Sequence, residues 1–150
     1  MADYRKIVDF FDEYIEHYKE FQEFEYSKLD MLNKNQIEKL GSSLAAEQAL
    51  IMKTNSMESK RMKLLEGVEG STFNEVIDKA PAEFKKKLSD QHEELSSLIY
   101  KIKELNDIAS GIVSKRLKYI QNKTEELNVY DGKGTLKREH ASKAAIFKNV

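Results

Sequence analysis

Three histidines, His17, His92 and His140, are the first residues to test for chemistry. None has a carboxylate three positions before it, so the Glu-x-x-His spacing of helical di-iron sites is missing. They also fall on three different segments of the chain. Glu13 and His17 stand one helical turn apart, and a lone pair at that spacing reads as a surface contact. Gly132-Lys133-Gly134 is too short to cradle a phosphate, and no strand pattern precedes it. There is no Cys, which excludes disulfides, thiolate metal sites and cysteine nucleophiles. With 26 acidic residues, paired carboxylates occur everywhere and single out no acid–base pair. The chain reads as a protein that holds something, with no cofactor, no metal and no catalytic residue. One side chain stands apart: Tyr130 is followed by Asp131 and two glycines, in a stretch with no core to enter. It is either merely solvated or a docking handle, since an aromatic ring with a polar tip suits a small interface.

The elements that would position such residues are helices. Phe84, Leu88, Gln91, Leu95, Leu98, Ile102, Leu105, Ala109, Ile112, Arg116 and Tyr119 recur in alternating steps of four and three. That is the a/d pattern of a heptad, and it predicts one long helix from about Pro81 to Glu126 whose narrow seam lies against other helices. A second stripe, Ile99, Ile108, Val113, Leu117 and Ile120, is either buried in a wide core or left available to a partner.

The N-terminal segment, from about Tyr4 to Asn33, carries Ile7, Phe11, Tyr14, Ile15, Tyr18, Phe21, Leu29 and Leu32 as its stripe, with Asp3 placed to cap it. Seven aromatic residues from Phe10 to Tyr26 exceed what a narrow seam holds, so they are buried between two helices or form a partner face. Asn33-Lys34-Asn35 predicts a kink or short turn, because Asn favours caps over helix interiors. The next segment, about Gln36 to Glu66, has a ragged seam. Ile37, Leu40, Leu44, Ile51 and Leu65 share it with Glu47, Thr54, Glu58 and Arg61. Glu47 and Arg61 either pair with charges on a neighbouring helix or face water. Met52, Met57 and Met62 are read as core or edge packing.

Gly67 is placed as the stop of that helix. Thr72-Phe73-Asn74-Glu75 is a capping box that opens a short helix through about Asp78. Pro81 fits the first turn of the long helix that follows. Short connections between long helices predict antiparallel neighbours. The fold expected is all-α: an antiparallel bundle or coiled coil of three long helices, with a short connector helix and a mobile C-terminal tail. The helical domain covers 1–127 and the tail 128–150. Leu136, Ile146, Phe147 and Val150 are the tail's apolar residues, too few to fold alone. A docked helix from Leu136 to Phe147 is the alternative.

Length suits one domain, and a charged fraction of 34% suits long thin helices with exposed outer faces. A net charge of -1 gives no reason to propose nucleic acid or an acidic lipid surface. No run approaches the ~18 apolar residues of a membrane span, and no apolar signal segment follows Met1. A soluble, cytoplasmic protein is expected.

The layout of a long N-terminal helix, a break, a second helix, a connector, a long third helix and a tail resembles the flagellar export chaperones of the FlgN family. Gln36-Ile37-Glu38-Lys39-Leu40, Ala46-Glu47-Gln48-Ala49-Leu50 and Lys60-Arg61-Met62-Lys63-Leu64-Leu65 are similar to that family's middle segment. Glu104-Leu105-Asn106 through Leu117-Lys118-Tyr119-Ile120 resembles its Leu-Asn block and the stretch after it, with Ala109 where the family often has a second Asn. Tyr130-Asp131-x-x-Gly134 resembles its tail element. The resemblance implies a chaperone that binds the C-terminal helices of the hook–filament junction proteins and delivers them to the membrane export gate. It points to the C-terminal half of the long helix and the tail for cargo, which gives Ile108, Ile112, Val113, Leu117, Ile120, Ile146 and Phe147. It gives Tyr130 and Asp131 to the cytoplasmic domain of the export gate. A structural coiled-coil spacer or adaptor is the alternative, and it leaves the tail without a role.

Overall fold

The computed structural model describes residues 3–66, 68 and 72–128. Four helices follow in order: α1 (Tyr4–Asn33), α2 (Ile37–Leu64), α3 (Phe73–Lys79) and α4 (Ala82–Asn128). No strand occurs among the described residues. Each start has a local cause. The Asp3 carboxylate accepts the Arg5 and Lys6 amides at 3.1 and 3.3 Å, satisfying two of the donors that a helix N-terminus leaves over. The Thr72 hydroxyl accepts the Glu75 amide at 3.3 Å, so half of the capping box forms. Pro81 sits just before α4, and its carbonyl accepts the Phe84 amide at 2.9 Å. Between α1 and α2 the chain turns at Asn35, whose φ of 55° is the left-handed conformation that Asn tolerates better than most residues. Gly67 lies outside the described residues, so its reading as a helix stop has no structural counterpart.

Helix direction follows from which residues meet. Along α1 and α2 the numbers run oppositely: Tyr14 meets Glu58, His17 meets Thr54, Glu20 meets Lys53 and Lys28 meets Glu47. Along α1 and α4 they rise together: Tyr4 stacks on Phe84, Gln91 bonds the Val8 carbonyl, Lys19 pairs with Glu94, Lys28 reaches Asn106 and Arg116 reaches the Leu32 carbonyl. The first pair is antiparallel and the second parallel. The expectation of antiparallel neighbours holds for α1 and α2, and α4, one further reversal along the chain, accordingly runs parallel to α1. α2 returns the chain to the start of α1, where Met57, Leu65 and Val68 share the core with Ile7 and Phe11, and α3 leads from there into α4. Phe73 of α3 packs its ring on Phe11 at 4.2 Å and edge-on to His92 at 4.9 Å, with Val76 fully buried beneath.

The heptad seam of α4 faces this interface. Leu88, Leu95, Leu98, Leu105 and Ala109 are buried, and so is Gln91, whose amide donates to the Val8 carbonyl and the Asp12 carboxylate at 2.9 and 2.8 Å. Those bonds are what permits a polar residue in an apolar seam. The main core joins Ile7, Phe10, Phe11, Tyr14 and Ile15 to Met57, Leu65, Val76, Leu88, Leu95 and Leu98. Full burial of side chains of this size contributes about 1.5–3 kcal/mol each. A smaller cluster, Leu32, Leu40 and Ala109, closes the other end. The aromatic surplus of α1 is mostly absorbed: Phe10, Phe11, Tyr14 and Phe21 are buried, Tyr18 and Phe24 half-buried, Tyr26 exposed. Of the three methionines of α2 only Met57 is buried; Met52 and Met62 face outward.

Candidate functional site

Two regions depart from ordinary helix packing. The first is a polar zone along the α1–α2 interface. Tyr14 donates its hydroxyl to the Glu58 carboxylate and lies 3.3 Å from the Tyr18 hydroxyl. Burial, reinforced by the bond to Glu58, pushes the Tyr14 phenol far above its ordinary range, so it stays protonated. His17 is buried and not the surface partner of Glu13 that its spacing suggests. Its Nε2 lies 2.6 Å from Thr54 Oγ1, and that hydroxyl donates to the Leu50 carbonyl at 2.9 Å. The hydroxyl proton being committed there, Nε2 carries the hydrogen and donates to Thr54. Burial, helped by the nearby Lys53 charge, lowers the His17 pKa and holds the ring neutral.

Below this lies a charged layer. Glu25, Lys28 and Glu47 are 0%, 2% and 2% exposed. Lys28 Nζ stands 3.0 Å from Glu25, 3.5 Å from Glu47 and 3.4 Å from Asn106 Oδ1 on α4. Glu47 thus pairs across helices, one of the two readings its seam position allowed. Arg61 pairs with Glu58 of its own helix at 3.0 Å. Burial raises the pKa of both Glu25 and Glu47, with the Lys28 charge opposing it in each. The sequence reading passed over Glu25 and Lys28, although a signal existed: Ile7, Phe11, Tyr14, Tyr18, Phe21, Glu25, Lys28 and Leu32 keep one alternation of four and three. None of these groups forms a nucleophile–base pair. Among the described residues no group of three acidic or histidine side chains could hold a metal ion, and no helix is long and apolar enough to cross a membrane.

The second region is the end of α4. Arg116 marks where α1 stops, donating to the Leu32 carbonyl and, at 3.2 Å, to the Asn35 side chain. Residues 117–128 continue past that point for about 18 Å. The seam residue Tyr119 is accordingly 63% exposed. Of the residues expected to hold cargo, Ile112 and Val113 are half-buried against the Leu32–Leu40–Ala109 cluster, and Leu117 is half-buried. Ile108 and Ile120 are 44% and 42% exposed. Val113, Leu117 and Ile120 are spaced to share one face of the helix, and two of them lie level with or past the end of α1. Ile146, Phe147, Tyr130 and Asp131 lie outside the described residues. The second region is therefore an apolar strip on an overhanging helix.

Comparison with protein families matches residues 1–138 to the family described as FlgN protein. No curated protein and no solved structure matches the chain.

Proposed function

Because the chain belongs to the FlgN family of flagellar export chaperones, we propose that it binds the C-terminal helices of the hook–filament junction proteins in the cytoplasm, prevents their early polymerisation and delivers them to the flagellar export gate. The observation that carries this reading is the overhang of α4. An unassembled subunit exposes an amphipathic helix, and a second helix with a free apolar strip covers it in helix-in-groove fashion. Leu117 and Ile120 supply the strip past the end of α1, the half-buried Ile112 and Val113 and the exposed Ile108 border it, and Ile146 and Phe147 of the tail add to the cargo site. Tyr130 and Asp131 follow the overhang directly and contact the cytoplasmic domain of the gate.

Leu117→Asp tests the cargo site. It places a carboxylate where the bound helix excludes water, so affinity for a junction-protein C-terminal peptide falls by several kcal/mol. Calorimetry with that peptide reads this, and circular dichroism checks that helix content is kept. Unchanged affinity moves the cargo site elsewhere, most directly to the aromatic α1. Tyr130→Ala separates the second role: melting temperature and cargo affinity stay within error, while gate binding and secretion of the junction proteins fall. A drop of several degrees in melting temperature would show Tyr130 packed on the helices instead.

A further inference from the structure

We propose that residues 37–55 of α2 form a hinged arm that detaches from a permanent α1–α4 pair, and that the buried Glu25–Lys28–Glu47 layer sets how readily it does so. The two interfaces of α1 differ in kind. Against α4 it meets a row of buried apolar side chains, Leu88, Leu95, Leu98, Leu105 and Ala109. Against residues 37–55 it meets only three buried residues, Leu40, Glu47 and Leu50, one of them charged. Leu44 and Ile51 are only half-buried, and two further contacts are polar: Thr54 with His17, and the exposed pair Lys53–Glu20 at 3.7 Å. The other end of α2 is anchored, because Met57 and Leu65, together with Val68 beyond the helix, belong to the main core. The near end has a hinge at Asn35, and Arg116 holds Asn35 and the Leu32 carbonyl to α4, so the hinge stays in place while the arm moves.

The charged layer is unbalanced. Two carboxylates share one ammonium, and no oxygen of either carboxylate has a hydrogen bond of good geometry within the protein. A buried charge in excess is costly. Removing Glu47 to water takes the excess away and leaves Glu25 and Lys28 as a neutral pair 3.0 Å apart. The closed layer is neutral only when one carboxyl holds a proton. The groups facing that proton are Glu25 and Lys28 from α1, Glu47 from α2 and the uncharged Asn106 from α4. Because burial raises both carboxyl pKa values, closing the arm takes up a proton, and opening releases it, at any pH between the open and closed values. The closed state therefore weakens as pH rises through the raised values and is strongest below them. The inference stands without the cargo reading. Where that reading holds, opening also uncovers Ile112 and Val113, which pack against the cluster containing Leu40.

Hydrogen exchange of the full chain tests it. A detached arm loses the tertiary packing from which most helical stability in proteins comes, so its amides exchange when it opens. After correction for intrinsic rates, amides of 40–54 should be at least tenfold less protected than those of 88–109 at about pH 8.5, with the gap narrowing severalfold at about pH 6. Glu47→Gln, which keeps the shape and removes the surplus charge, should raise protection of 40–54 about tenfold at the higher pH and flatten the pH dependence. Equal protection of the two segments overturns the arm. A gap that neither pH nor Glu47→Gln alters overturns the role of the layer. Should the variant fail to fold, the pH comparison on the unaltered protein decides alone.

Discussion

Lys28 is the residue on which the interior depends most. Its ammonium has lost its water and has two carboxylates and an amide oxygen in exchange. Lys28→Met should destabilise the protein by about 3–5 kcal/mol, because it leaves two buried carboxyls with no opposing charge. The deficit should be larger at about pH 8 than at about pH 5. Without Lys28, burial and the repulsion between Glu25 and Glu47 act unopposed, the folded state binds protons that the unfolded state has already lost, and the penalty shrinks as pH falls. Urea unfolding at the two pH values measures it; a deficit independent of pH would mean that packing of the lysine stem, not charge, is lost. At this scale the sequence was only partly legible. Gln91 stood in the heptad series, and its position on the seam proved to be real burial with two bonds. Glu25 and Lys28 were passed over because a charge on a seam looks the same in sequence whether it is paired or solvated. What distinguishes the cases is a third residue, Glu47, brought in by a helix whose placement no local pattern specifies.

Elements were the most legible scale, since their signals are local. The alternation of four and three along α4, the Asp3 and Thr72 caps and the Asn-rich break all found their helices within a few residues. The turn makes a quantitative test. Asn35 has a φ of 55°. Asn35→Gly should leave stability within about 0.5 kcal/mol, while Asn35→Val should cost about 1–2 kcal/mol or more, because a β-branched side chain crowds the left-handed conformation. Thermal unfolding distinguishes them; equal effects would show that the loss comes from the Arg116 bond to the Asn35 side chain and not from the backbone. The same local logic reads α4 too far as a seam. Ile112 is only half-buried, Arg116 turns to cap α1, and Tyr119 faces water. The heptad continues in sequence after the helix it packs on has ended, so periodicity shows which face is apolar and not how far the partner extends.

The whole molecule was the least legible, because which helix packs most closely on which depends on tertiary contacts that no local pattern specifies. Short links reverse the chain twice and so make α4 parallel to α1, but nothing local shows that α1 finds its largest apolar partner in α4 and not in α2. The α1–α2 pair alone buries little that is apolar on its α2 side. A fragment of residues 1–66 should therefore lack a cooperative thermal transition and show much less helix per residue than the full chain by circular dichroism. A fragment that melts cooperatively would mean that α1 and α2 hold each other without α4.

The parallel pairing also orders events in time. Val8 and Gln91 lie 83 residues apart, and Leu32 and Arg116 lie 84 apart. At a synthesis rate of about 5–20 residues per second, each half of such a contact waits roughly 4–17 seconds for the other to be made. Throughout that interval Phe10, Phe11, Tyr14 and Phe21 have left the ribosome with no α4 to cover them. Every newly made copy of this chain thus passes through a stage in which an aromatic helix face lies open before its proper partner exists.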